Sequence, residues 1–139
     1  MTAMTKKTIV ITGGASGIGL AMTRHFAAQG HNIAVLDVNA NDGPSIVAEI
    51  AKEYPDSGLS FEKCDVSSWQ NQALVFKKTF ERFGRIDVVM ANAGISEGGR
   101  SDMSVLDEEE PTEPRLDAIN VNLIGVLNSM YSLVSYITS

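Results

Sequence analysis

The sequence predicts an α/β protein built on a parallel sheet, and three observations support this class. Short apolar runs alternate with segments whose apolar residues recur at helical spacing. The runs lack the alternation of a half-exposed strand, as is typical of parallel strands that are covered on both faces. The first run passes directly into a glycine-rich turn that opens a helix. Because strands that alternate with helices pair in parallel through right-handed crossovers, we expect a doubly wound sheet with flanking helices.

Four apolar runs are predicted as strands. Each is short, rich in β-branched or other apolar residues, and followed by polar or turn-forming residues. The runs are Thr8–Thr12, Asn32–Leu36, Leu59–Cys64 and Ile86–Ala91. The sheet should therefore have about four strands.

Helical segments follow each of the first three strands, and a long helix closes the chain. Gly30 lies where a glycine ends the first helix, Pro44 suits the first turn of the second, and Pro55 stops it. The third helix, which Gly84 ends, has an apolar face predicted to comprise Trp69, Ala73, Phe76 and Phe80. The apolar stripe of the last helix comprises Leu116, Ile119, Leu123, Val126, Met130, Leu133 and Ile137.

Composition limits the class of protein and of partner. The chain has 139 residues, of which 44% are hydrophobic and 20% charged, as expected for one soluble folded domain. Cys64 is the only cysteine, which excludes a disulfide framework, and His25 and His31 lack further ligands at metal spacing, so we expect no metal. Because no uninterrupted apolar run reaches membrane-spanning length and no signal peptide is visible, we expect a cytoplasmic protein without a membrane partner.

The net charge of −6 argues against nucleic acid as a partner, because phosphate binding needs a basic surface. Much of this charge is local. Five acids lie within residues 107–113, and without them the balance is 11 − 12 = −1. Pro111 and Pro114 accompany them, so this segment is predicted to be a solvated loop.

The turn after the first strand has the chemistry of a phosphate site. A tight passage from strand to helix needs positive φ, and a pyrophosphate can approach the backbone only where no Cβ intervenes. The N-terminus of the following helix offers N–H groups and partial positive charge to an anion. The residues predicted to bind a nucleotide here are Gly13, Ser16, Gly17, Ile18 and Gly19.

Asp37 ends the second strand, 18 residues after Gly19. In this arrangement its carboxylate can accept hydrogen bonds from the adenosine ribose hydroxyls and would repel a 2′-phosphate. The next basic residue along the chain is Lys52. The sequence therefore favours NAD over NADP as the cofactor.

Taken together, four motifs in chain order resemble those of the short-chain dehydrogenase/reductase family. The glycine spacing departs from G-x-G-x-x-G in the way that is typical of this family. The motifs are Thr12-Gly13-x-x-x-Gly17-x-Gly19, Cys64-Asp65-Val66, Asn92-Ala93-Gly94 and Val121-Asn122-Leu123-Ile124-Gly125. The resemblance implies a Rossmann-type sheet with strand order 3-2-1-4, truncated relative to the family's larger sheet.

The resemblance also implies roles for individual residues. Asp65 would bind the adenine amino group, with the Val66 backbone beside it, and Asn92-Ala93-Gly94 would line the cofactor and tie the central strands together. Asn122 would be the catalytic asparagine, whose backbone carbonyl holds a water in a proton relay where the helix is distorted. Without the resemblance, Asn122 is better explained as a hydrogen-bonded structural amide, because an asparagine in an apolar stripe needs partners.

The catalytic pair of the family is not present in the sequence. That chemistry uses a Tyr as general acid/base with a Lys four residues later. Tyr131 is followed at that distance by Ser135, Tyr136 has no such position before the last residue, and the last lysine is Lys78. We therefore expect residues 1–139 to be an incomplete dinucleotide-binding domain that lacks the C-terminal catalytic half, with both tyrosines as partly buried aromatics.

Two functions of different classes stay open. One is an NAD-dependent oxidoreductase that acts on a secondary alcohol or ketone, with this chain carrying the cofactor-binding half. The other is a non-catalytic NAD-binding or interaction fragment that forms homo- or hetero-oligomers through the last helix. A narrower resemblance, to NAD-dependent 15-hydroxyprostaglandin dehydrogenases, comes from Phe83-Gly84-Arg85-Ile86-Asp87 and the tail from Met130 to Tyr136.

Overall fold

A computed structural model describes residues 5–96 and 113–137 and contains one parallel sheet. The strands are β1 (Thr8–Thr12), β2 (Asn32–Asp37), β3 (Leu59–Lys63) and β4 (Val88–Met90). Their order is β3-β2-β1-β4, and every pairing is parallel. This confirms the predicted α/β class, the Rossmann-type sheet and the strand order 3-2-1-4.

Helices cover both faces of the sheet. They are α1 (Gly17–Ala28), α2 (Gly43–Glu53), α3 (Trp69–Phe83), α4 (Asp117–Ile119) and α5 (Gly125–Ile137), with a π-helical segment (Asn120–Ile124) joining the last two. The predicted ends of the first three helices are confirmed. Gly30 and Gly84 adopt positive φ after α1 and α3, and Pro44 lies in the first turn of α2.

Alternate side chains along the central strands point to two apolar layers. One layer joins β1 and β2 to α1 and α2, and it contains Ile9, Ile11, Ile33, Val35, Val47 and Ile50. The other joins the same strands to α3 and α5, and it contains Val10, Ala34, Leu36, Val75 and Phe76. Burial on both faces explains why these strands are apolar at successive positions.

The buried face of α3 differs from the predicted one. Trp69 is 47% exposed, and the buried residues are Gln72, Val75, Phe76 and Thr79. Polar side chains can lie in this layer because their hydrogen bonds are satisfied there: Thr79 Oγ1, for example, donates to the Val75 carbonyl at 2.8 Å. Of the predicted face, only Phe76 is buried.

The last helix is not a regular α-helix, and its apolar stripe faces mainly outward. Small residues, namely Gly125, Ser129 and Ser132, are its buried positions. Exposed stripe residues are Leu116, Ile119, Leu123, Met130 and Ile137, whereas Val126 and Leu133 are half-buried. Within the described residues, most of this stripe therefore faces away from the sheet.

Within the described ranges, the helix from Asp117 to Ile137 is the one that is long and apolar enough to cross a membrane, by length and composition alone. The sequence-based expectation counted uninterrupted apolar runs, and asparagines break this one. These asparagines are Asn120, Asn122 and Asn128.

Strand β4 is shorter than predicted and lies at one edge of the sheet. It starts after Asp87, whose carboxylate accepts the Thr8 N–H at 2.7 Å, and all three of its residues are half-buried. An edge strand with apolar side chains and unpaired backbone groups on one side can pair with another strand.

Of the predicted acidic loop, residues 107–112 lie outside the described residues.

Removal of the Phe76 ring should test the second apolar layer, because this side chain is completely buried between α3 and the sheet. We expect Phe76→Ala to lower the free energy of unfolding by about 3–5 kcal/mol, since it leaves a cavity. The control is Leu74→Ala, on the same helix at a position that is 52% exposed, where we expect a change within about 0.5 kcal/mol. Urea unfolding followed by circular dichroism measures both, and equal losses in the two variants would contradict this layer assignment.

Candidate functional site

The turn between β1 and α1 closes through a contact that only glycine permits. A Cβ at Gly19 would lie 2.0 Å from the carbonyl oxygen of Gly13 and 2.7 Å from Asn92 Nδ2. Gly13 itself has φ +64, and its N–H donates to the Leu36 carbonyl at 2.7 Å. The turn is therefore packed against both α1 and the end of β2.

Asn92 and Thr12 attach the loop after β4 to this turn. Asn92 Nδ2 donates to the carbonyl oxygens of Thr12 and Gly13, at 3.1 and 3.3 Å. Thr12 Oγ1 accepts hydrogen bonds from the backbone N–H groups of Asn92 and Ala93, both at 3.0 Å. These four bonds fix the carboxyl ends of β1 and β4 side by side, where a ligand of a parallel sheet would bind.

Helix α1 begins at this turn with its N-terminus facing outward. Ser16 is the N-cap residue and is exposed, and within residues 5–96 its side chain makes no capping hydrogen bond. Ile18, in the first turn, is 75% exposed. The first N–H groups of a helix have no partner inside the helix, so they can donate to an anion.

Asp37 lies beside the turn with both carboxylate oxygens engaged. Oδ2 accepts the Ala15 N–H and Oδ1 accepts the Asn39 N–H, each at 3.0 Å. The residue is only 8% exposed. Backbone donors thus hold this negative charge in one place, close to the glycine turn.

A cleft of about 210 Å³ opens at the carboxyl ends of the strands, next to the turn. It brings seven of the predicted cofactor-binding residues together. These are Gly13, Ser16, Asp37, Asp65, Val66, Ala93 and Gly94. Four more residues complete the lining, namely Val38, Cys64, Ile95 and Val121. Of the other predicted residues, Gly17, Ile18 and Gly19 lie in the first turn of α1. Asn92 lies in the loop after β4, and its side chain binds the backbone of Thr12 and Gly13.

Cys64 and Asp65, the first two residues of the Cys64-Asp65-Val66 motif, have different chemistry. Asp65 is exposed, and its Oδ1 accepts hydrogen bonds from the N–H and hydroxyl of Ser67, at 2.9 and 2.7 Å. Burial, with a smaller contribution from the charge of Asp65, raises the pKa of the Cys64 thiol to about 12. The thiol is therefore protonated at neutral pH and cannot act as a nucleophile.

Asn122 lies in the π-helical segment and binds the loop after β4. Its Oδ1 accepts the Ile95 N–H and its Nδ2 donates to the Ile95 carbonyl, both at 2.8 Å. The Gly125 N–H donates to the Asn120 carbonyl, one residue further than in an α-helix. Both explanations of Asn122 thus have a counterpart: its side chain is a paired structural amide, and its backbone lies where the helix is distorted. The water-holding role stays a prediction.

Gln72 is the residue beside the site that periodicity did not find. Its side chain is completely buried, and Nε2 donates to the carbonyls of Val66 and Gly125, both at 2.8 Å. Ser129 Oγ donates to its Oε1 at 2.9 Å. The sequence did contain one signal for this residue. Gln72 lies four residues before Phe76, on the same helix face, and a glutamine is costly to bury there unless the hydrogen bonds of its amide are satisfied.

Other polar and aromatic residues have contacts outside the cleft. Tyr136 is half-buried, as expected, and stacks on Phe80 with ring centroids 5.0 Å apart. The expectation that Tyr131 is partly buried is wrong, because this residue is 70% exposed on the outer side of α5. His25 pairs with Gln29. In residues 5–96 and 113–137, His, Cys, Asp and Glu form no group of three that could hold a metal ion.

Comparison with known proteins shows the family. Residues 7–139 match the short chain dehydrogenase family. An uncharacterized oxidoreductase of Mycobacterium tuberculosis is 33% identical over 127 residues, which are 91% of this chain and 48% of the relative. The short-chain dehydrogenase/reductase prx4 of Penicillium roqueforti is 36% identical over 131 residues, 94% of this chain and 36% of the relative.

The fold comparison agrees. The NADPH-dependent 3-quinuclidinone reductase of Rhodotorula rubra superposes with a TM-score of 0.80 at 26% identity, over 94% of this chain and 47% of that protein. The chain thus spans about half the length of that protein and half or less of the two curated relatives. Because the family match extends over residues 7–139, the chain belongs to the short-chain dehydrogenase family.

Proposed function

We propose that this chain carries the cofactor-binding half of an oxidoreductase that transfers a hydride between NAD(H) and a secondary alcohol or ketone. The observation that supports this most directly is the glycine turn. It is packed so closely that Gly19 has no room for a Cβ, and it places the N-terminus of α1 beside a cleft at the carboxyl ends of the strands. Such an arrangement suits a dinucleotide.

The residues around the cleft fit the parts of the cofactor. The first turn of α1 can donate N–H groups to the pyrophosphate, and Asp37 can accept hydrogen bonds from ribose hydroxyls. Asp65 and the apolar Val66 both line the cleft and would contact the adenine, and Gly94 would offer the cofactor a surface without a side chain. When bound, the nicotinamide ring supplies the hydride chemistry, and the residues of this chain bind and orient it.

The preference for NAD rests on Asp37. Its charge is held beside the turn by two backbone N–H groups, so it cannot move away easily from an added 2′-phosphate. The repulsion would occur at an only 8% exposed group, where solvent screens charge weakly. The quinuclidinone reductase is NADPH-dependent, so family membership alone does not decide between the two cofactors.

The interaction fragment is kept as a second candidate because of the outer face of α5. Leu127, Met130 and Val134 are between 42% and 63% exposed and lie on one helix face, where such a contiguous apolar surface is typical of an interface. We propose homo- or hetero-oligomerisation through this helix. Asn122 and Asn128 interrupt it, which disfavours a membrane partner.

The remaining assignments follow from composition and motif. The net charge of −6 favours a protein without a nucleic-acid partner, and one buried cysteine suits a cytoplasmic location.

As the narrower substrate class we propose a secondary alcohol of the 15-hydroxyprostaglandin type. This rests on the tail from Met130 to Tyr136 and the segment 83–87.

The glycine turn can be tested with Gly19→Ala. Because the added Cβ would lie 2.0 Å from the Gly13 carbonyl oxygen, we expect NAD binding measured by calorimetry to weaken at least about 100-fold. The matched control is Gly30→Ala, which introduces strain at φ +78 but meets no atom within 4 Å. We expect this control to lose some thermal stability and to bind NAD normally. Tight NAD binding by a folded Gly19→Ala chain would contradict the assignment of the turn.

The cofactor preference can be tested with Asp37→Ala. Loss of a charged acceptor for the ribose hydroxyls should weaken NAD binding by about 10-fold to 100-fold, and loss of the repulsion should strengthen NADP binding. Asp56→Ala, in the turn after α2, removes an equal charge away from the cleft and should change neither affinity. Titration with both nucleotides measures the ratio. A preference of the unaltered chain for NADP would exclude the NAD assignment.

Under both candidate functions the isolated chain should not turn over a substrate, and only its self-association differs between them. We expect it to bind NAD but to show no turnover with a panel of secondary alcohols, because the sequence has no Tyr with a Lys four residues later. Robust turnover would refute the claim that this pair is required.

Sedimentation of the nucleotide-free chain tests the interaction face on α5. A dimer that forms with increasing concentration supports pairing, and a monomer at all concentrations opposes it.

A further inference from the structure

The wall of the cleft at Val66 is held by residues outside the cleft. The Val66 carbonyl accepts hydrogen bonds from Gln72 Nε2 at 2.8 Å and from Asn128 Nδ2 at 3.2 Å. The Val66 side chain packs on Gly125, where a Cβ would lie 2.7 Å from Val66 Cγ2. Both the backbone and the side chain of Val66 are therefore held in contact with the start of α5.

Gln72 uses its whole amide in this arrangement. Nε2 donates its two hydrogens to the carbonyls of Val66 and Gly125, and Oε1 accepts the hydroxyl of Ser129. The side chain is 0% exposed, so any lost hydrogen bond would leave a buried polar group without water. A completely satisfied buried amide permits one arrangement and resists others.

Gly125 connects this network to the π-helical segment. It directly follows that segment, and its N–H closes the segment through the Asn120 carbonyl. Within the segment, Asn122 pairs with the backbone of Ile95 through two hydrogen bonds. Because Ile95 and Val66 both line the cleft, a continuous path of hydrogen bonds and helix backbone joins the two cleft walls.

We propose that Gln72 is a positioning residue that fixes the distance between these two walls through the π-helical segment. Occupation of the adenosine end of the cleft, next to Val66, would thereby restrain the backbone of Asn122. This inference rests on the proposed nucleotide-binding function of the cleft. It assigns Gln72 no contact with the cofactor and no catalytic role.

The test compares Gln72→Met with a matched control, Thr79→Val. Both replace a buried polar side chain on the same face of α3 with an apolar one of similar size. Thr79, however, donates only to the carbonyl of Val75 in its own helix. We expect Thr79→Val to lower the melting temperature by about 4 °C and Gln72→Met to lower it further, because Gln72→Met leaves two buried carbonyls and the Ser129 hydroxyl without this partner. Adenosine diphosphate serves as the probe because it can occupy the adenosine end alone, and calorimetry should give about tenfold weaker binding for Gln72→Met and less than twofold for Thr79→Val.

Hydrogen exchange measures the link to the π-helical segment directly. In the free chain, amides of residues 120–125 should exchange faster in Gln72→Met than in Thr79→Val. Adenosine diphosphate should slow these amides in the unaltered chain and not in Gln72→Met. Equal exchange in the two variants, or probe binding by Gln72→Met that equals that of the unaltered chain, would overturn the proposal.

The design separates failure of this inference from failure of the proposed function. If the unaltered chain does not bind adenosine diphosphate, the nucleotide-binding function fails. The exchange rates of the two free variants then still decide whether Gln72 restrains residues 120–125. If Gln72→Met does not fold, Gln72→Asn keeps an amide but shortens it by one carbon, so that it cannot reach the carbonyls of Val66 and Gly125 together. Faster exchange at residues 120–125 in that variant supports the restraint, and unchanged exchange refutes it.

Discussion

The close approach of Gly19 to the carbonyl oxygen of Gly13 determines where every part of the site can lie. With no Cβ at Gly19, α1 starts immediately above the end of β1, and Asn92 can reach the carbonyls of Thr12 and Gly13 from the neighbouring strand. Asp37 can then approach from the other side and accept the Ala15 N–H. A larger residue at this contact would displace the helix, and the cleft would lose its wall and the adjacent N-terminus of α1 together.

The sequence predicted those parts of the fold whose causes are local. Buried parallel strands are apolar at successive positions, and turns with positive φ need glycine, so the strands and the glycine turn could be predicted from neighbouring residues. The strand order is not local, and it was predicted only through the resemblance to a family. The buried face of α3 could not. Its inner residues include Gln72, whose partner Gly125 lies 53 residues away, and hydrophobic periodicity counts such a residue as exposed. The polar contacts that shape the site are therefore the part that a search for apolar patterns misses.

The last helix illustrates the same limit from the opposite direction. Periodicity found the apolar stripe of this helix but not the side on which the stripe lies. The reason is that the completely buried positions of the helix hold small residues rather than large apolar ones. Gly125 leaves room for Val66, and Ser129 fits beside Gln72. Leu123 and Met130 are consequently exposed, at 55% and 57%. A helix that packs closely through small residues on one side presents its large residues on the other.

The described site is held in place by uncharged side-chain amides. The proposed alcohol chemistry would use a tyrosine with a lowered pKa, and the sequence holds no tyrosine with a lysine four residues later. The chain does contain the π-helical segment. Its Asn122 forms two hydrogen bonds with Ile95 in the loop after β4, and Gln72 donates a hydrogen bond to the carbonyl of Gly125, which follows the segment. Side-chain amides, which carry no net charge and do not titrate near neutral pH, are well suited to this task because they fix geometry without adding charge beside the cleft. The positions of the two cleft walls at Val66 and Ile95 thus depend on amide contacts made within the described residues.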